Sequence, residues 1–162
     1  MTPNDLIAGG YRMSKALLHR MTDDLSPADF RHVPCPGANS AAWVLGHLAV
    51  TLRRTAERLG TTGLPPVPAD FAARFTATGQ AAGEQPDLGD PAELVRQFDA
   101  AADAVITAVR TVPAQTLDGP PVGPVKLANT FGEALLFGSA HVAMHAGQLS
   151  TVRRSLGKPP VV

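Results

Sequence analysis

TFGEALLFGSAHVAMHAGQLSTVRRSLGKPP, residues 130–160, begins with a helix start and closes with a helix stop. Thr130 followed three residues later by Glu133 is a capping box, in which each side chain satisfies a backbone N–H that the first turn leaves orphaned. Gly157 after Leu156, with Pro159 and Pro160 beyond, is the matching stop. No proline stands between them, so one helix is expected over about 130–156, the longest in the chain. At the helical period Ala134, Phe137, His141, His145, Gln148 and Val152 fall on one direction, flanked by Leu149 and Leu156. Two histidines therefore sit one turn apart on an inward, partly apolar stripe.

The same punctuation recurs upstream. TPND from Thr2, SPAD from Ser26 and DPAE from Asp90 each place a small polar cap, Pro at the first helical position and an acid at the third. Asn39 or Ser40 can cap a further helix that Gly60 ends after Leu59. Helices are expected at about 3–22, 40–59, 91–111 and 130–156, with a short one near 27–32. Leu45, Leu48, Leu52, Ala56 and Leu59 give the second long helix an apolar stripe; Leu94, Phe98, Ala101, Val105 and Val109 give the third. The only strand candidate is PVKLA after Gly123. Four amphipathic helices around one core argue for an all-α, four-helix bundle in a single domain over 1–162. Two long Pro-rich connections, 60–90 and 112–129, read as functional segments, and the first also as a crossover.

Composition narrows the function. The chain has 162 residues, 44% hydrophobic, and balances 14 basic against 14 acidic residues. No basic run exceeds two, which leaves no electrostatic footprint for nucleic acid. No apolar run approaches the length of a membrane span, and the N-terminal stretch lacks the basic and apolar regions of a signal peptide. The single Cys35 excludes an intrachain disulfide. A cytoplasmic protein that binds neither nucleic acid nor membrane is expected.

His141 and His145 share one helix face, a spacing at which two imidazoles can hold one metal ion. Val142 stands where a zinc protease has its Glu, so the protease reading fails. The alternative is a pair satisfied by hydrogen bonds alone. His47, one turn after Trp43, points well off the leucine stripe and is placed at the rim of a site at one end of the bundle. His19 and His32 read as structural or solvated. Gln148 is placed to bond a ligand or to cap an internal polar group. Trp43 is expected to brace His47 by packing rather than to stack on substrate. Arg153 and Arg154 read as a solvated helix end, Cys35 as unreactive, and Glu133 as a cap.

NSAAWVLGHLAVTLRR (39–54) and HVAMHAGQLSTVRRSLGKPP (141–160) together resemble the DinB-like (DinB/YfiT-like) superfamily, over nearly the whole chain. The carriers are the W-x-x-x-H of the second long helix and the H-x-x-x-H-x-G-Q followed by an Arg pair. The resemblance implies an up-down-down-up bundle whose 60–90 connection is the crossover between the middle helices. It implies His47, His141 and His145 as ligands of a divalent metal ion, with zinc or nickel the expected ions. Trp43 and Gln148 then become candidate supporting or substrate contacts. Characterised relatives include enzymes that use a low-molecular-weight thiol, so a small-molecule thiol, an electrophilic substrate and a homodimer are implied partners. The expected function is a metal-dependent thiol S-transferase, with a hydrolase acting through water as its variant. A non-catalytic, stress-related metal-binding bundle is the alternative. No catalytic acid or base is identified.

Overall fold

The computed structural model describes residues 1–76, 88–123 and 126–161. Among these the secondary structure is all helical: α1 (Pro3–Thr22), α2 (Pro27–Arg31), α3 (Ala41–Arg58), α4 (Phe71–Thr76), α5 (Pro91–Val109), α6 (Ala114–Leu117) and α7 (Phe131–Ser155). The five expected helices are α1, α2, α3, α5 and α7, each within two residues at either end. α4 and α6 are additions, and they lie inside the two connections read as loops. Of the strand candidate, residues 126–128 form no strand, and Pro124 and Val125 lie outside the described residues.

The starts form as their chemistry dictates. Thr2 and Ser26 make reciprocal capping boxes with Asp5 and Asp29, and Asp90 accepts from the backbone N–H of Ala92. α7 departs by one residue. The Thr130 hydroxyl accepts from the N–H of Glu133, but the Glu133 carboxylate accepts from the N–H of Asn129 at 2.6 Å instead of closing the box on Thr130. Both predicted Gly stops are left-handed, with φ of 86° at Gly60 and 72° at Gly157. Each closes the paired C-terminal hydrogen bonds of a Schellman motif, Thr61 N–H to Ala56 C=O and Lys158 N–H to Arg153 C=O, both at 2.9 Å.

The long helices bury the stripes the sequence shows. Leu45, Leu48 and Leu52 of α3 and Leu94, Phe98 and Val105 of α5 join Ile7, Tyr11 and Leu18 of α1 in one core. Along α1 and α5, Asn4 donates to the carbonyls of Val109 and Val112, Lys15 reaches Asp103 at 2.7 Å, and His19 meets Asp99 at 2.7 Å. Along α1 and α7, Gly10 lies against Ser139 and Tyr11 against Gly138. Near the ends of these helices Arg153 reaches the carbonyl of Met21 and the carboxylate of Asp24. α7 meets α3 through His47 and His141, whose Nε2 atoms are 3.4 Å apart.

Arg153 corrects an expectation. It is only 3% exposed, not part of a solvated end. Its guanidinium pairs with Asp24 and donates to the carbonyls of Met21 and Pro159, tying α7 to the end of α1 and to the C-terminal tail. Arg154 is exposed, as expected.

Candidate metal centre

Two helices carry the three histidines. His141 and His145 project from α7 one turn apart, with their Nε2 atoms 3.0 Å from each other. His47 comes from α3 and brings its Nε2 to 3.4 Å from that of His141. One ligand atom from each of the three lies within 4.8 Å of the others. α4 makes this possible. Phe75, 0% exposed, presses on α3 at Gly46, where a Cβ would stand 2.3 Å from the ring. The close approach puts the Phe75 carbonyl 2.9 Å from His47 Nδ1.

Hydrogen bonding fixes how the rings present their nitrogens. A carbonyl can only accept, so His47 carries its proton on Nδ1 and turns an Nε2 lone pair inward. His145 Nδ1 donates to Gln148 Oε1 at 3.0 Å, with the same consequence. Two inward lone pairs then face the Nε2 of His141. A proton on His141 could satisfy one of them and would leave the other facing it without a donor. A cation between the rings satisfies all three nitrogens.

Electrostatics favour the neutral, ligating form. His145 is 8% exposed, and its pKa is pushed down to about 4, chiefly by burial and then by the neighbouring His141 and His47, against a smaller upward pull from Gln148. His141 is shifted in the same direction by burial and by His47. Neutral imidazoles are ready to ligate without first losing a proton.

The supporting residues have definite places. Trp43 stacks flat on His47, with ring centres 4.8 Å apart and planes 8° from parallel, so it braces that ring as expected. Gln148 is exposed and turns back to bond the ring of the buried His145, so of the two roles that the sequence suggests it takes the capping of an internal polar group. His19 pairs with Asp99, and His32 bonds the Ser155 hydroxyl at 2.8 Å, and neither belongs to the cluster. Cys35 is exposed and free. Sequence reasoning missed Phe75 and Gly46. A glycine inside an apolar helix next to a histidine was the one available signal, because it marks a close approach.

A cavity of about 540 Å³ opens beside the cluster between α3 and α7, and His47 and His141 form part of its wall. Tyr11 also lines it; its hydroxyl is buried against Gly138 with no hydrogen-bond partner, and burial raises its pKa, so the phenol is neutral. The profile of the DinB superfamily matches residues 11–149, which include all three histidines. The chain belongs to the DinB superfamily. No curated protein shows a significant match to it. Among the described residues of this DinB-superfamily chain no helix is long and apolar enough to cross a membrane.

Proposed function

We propose that His47, His141 and His145 hold one divalent ion, zinc or nickel by donor type, and that the chain is a metal-dependent enzyme acting on a small molecule in the adjoining cavity. The observation that carries this reading is the convergence of three imidazoles at the wall of a cavity. Three protein ligands are the number that catalytic sites use, whereas structural sites close with a fourth. When bound, the ion supplies a Lewis acid that lowers the pKa of a coordinated thiol or water and polarises a carbonyl. The chain's residues do the rest. Gln148 and the Phe75 carbonyl orient two ligand rings, Trp43 holds the plane of His47, and the apolar walls thin out water near the histidines.

The residue pairings support the up-down-down-up order within a single domain. Contacts advance together along α1 and α7, and run in opposite senses along α1 and α5. The 60–90 connection then serves as the crossover between α3 and α5. A cytoplasmic homodimer fits this reading and belongs to the same proposal.

Cobalt in place of the native ion tests the function. Addition of bacillithiol, mycothiol or glutathione should produce a sulfur-to-cobalt absorption band for an S-transferase. For a hydrolase, no band appears, and the zinc-loaded protein cleaves simple esters while His141→Ala does not. A spectrum indifferent to every thiol, together with no ester cleavage above that of the variant, contradicts an enzyme and leaves the non-catalytic bundle. That second reading has one observation in its favour. α3 and α7 touch far less than α1 and α7 do, so an ion shared by their histidines would staple a thinly packed seam.

A further inference from the structure

The cavity beside the histidines carries charge that the metal reading does not use. Along α3, His47, Thr51, Arg54, Thr55 and Arg58 all line it, at spacings that keep them on one helix face. Lys126, from the connection before α7, lines it as well. Among the described residues that line it there is no Asp or Glu. Some other cations are paired, Lys15 with Asp99 and Asp103, Arg96 with Glu93, and Arg53, on the same helix, with Glu57, while Arg12, Arg20, Arg31, Arg110 and Arg154 stand singly elsewhere on the described surface. Among the described residues Arg54, Arg58 and Lys126 form no ion pair.

The loop before α7 comes close to one of these cations. Gly123 has φ of 108°, and a Cβ there would stand 2.9 Å from the Arg58 guanidinium. The connection therefore passes close to the Arg58 guanidinium. The remaining wall is mostly apolar, with Leu52, Phe131, Leu135 and Phe137 prominent. The cavity thus has an imidazole end, an apolar middle and a cationic mouth.

We infer that this cavity takes an amphipathic anion, with an apolar body against α3 and α7 and a carboxylate-class head at Arg54, Arg58 and Lys126. Like charges gathered at one mouth repel, and an anion between them relieves that repulsion. Helix rise sets the length. Arg54 follows His47 by seven residues and Arg58 by eleven, so the axial separations are about 10 and about 16 Å. Long helical side chains lean toward the helix N-terminus, which is toward His47 here, so the shorter distance is the better guide. The inference names the substrate class for the proposed site. It rests on the metal reading only for what the far end of the ligand meets.

Octanoate and its neutral counterpart octanamide test it by calorimetry on the full chain, with zinc and after chelation. Octanoate should bind about fivefold tighter or more in both states, the gain expected of charge-assisted contacts at a partly exposed mouth. Arg54→Gln/Arg58→Gln/Lys126→Gln should bring the two ligands to within about twofold, with an unchanged circular dichroism spectrum, while His141→Ala should keep the preference. Equal binding of the two ligands, binding of neither, or a preference retained by the triple variant overturns the inference. So does a preference that vanishes on chelation, which would put the carboxylate on the metal. If zinc itself fails to bind, the metal reading falls, and the octanoate preference is still judged on its own.

Discussion

Gln148 acts on the site through a single nitrogen. Removing its acceptor in Gln148→Leu frees the His145 ring without touching a ligand atom, and its exposed position leaves the core intact. Metal affinity should weaken by about 10- to 100-fold, the usual cost of losing a partner behind a ligating histidine, as measured by competition with a chromophoric chelator. His145 also sets a pH dependence. Its folded pKa of about 4 lies below the ordinary value of 6.5. Between those limits the unfolded chain binds a proton that the folded chain does not. Stability of the metal-free protein should therefore be flat above about pH 6.5 and fall as pH drops toward 4. Urea melts across that range check it, and His145→Gln should flatten the fall. The pair at 141 and 145 was legible because i,i+4 spacing is a fixed geometry. The role of Gln148 was legible only as one of two alternatives, since a side chain that turns back on its own helix leaves no periodic trace.

At the scale of elements, the caps, stripes and Gly stops were legible because each is a local rule read within a few residues. α4 was not. FAARFT is six residues long and follows three prolines. Its position comes from Phe71 and Phe75 burying against α3, a tertiary cause that no local signal reports. Gly46→Ala tests that cause. The added methyl meets the Phe75 ring and should cost about 1–3 kcal/mol in urea denaturation, while loosening the carbonyl that orients His47 and weakening metal binding with it. Arg153 was misread for the opposite reason. Basic residues at a helix C-terminus satisfy the dipole whether exposed or buried, so the sequence pattern is the same in both cases. Arg153→Ala leaves the Met21 carbonyl without its donor and should destabilise the fold by about 1–3 kcal/mol in the same assay.

For the whole molecule, the histidines make α3 and α7 into one unit only if something sits between them. The four long helices and their shared core follow from the sequence pattern. How closely α3 meets α7 does not, because it depends on where the Pro-rich connections let the helices settle. An ion that binds the folded chain alone stabilises it by mass action, about 2.7 kcal/mol at a free concentration one hundred times Kd. The melting temperature should therefore rise on adding zinc or nickel to the wild type and stay fixed in a variant without ligands. The most direct measurement is metal content by mass spectrometry, on protein purified without an affinity tag, beside His141→Ala/His145→Ala. Near one equivalent of a divalent metal in the wild type and none in the folded variant is the predicted result. A wild type that carries no metal, and takes up none after incubation with zinc or nickel, would contradict it.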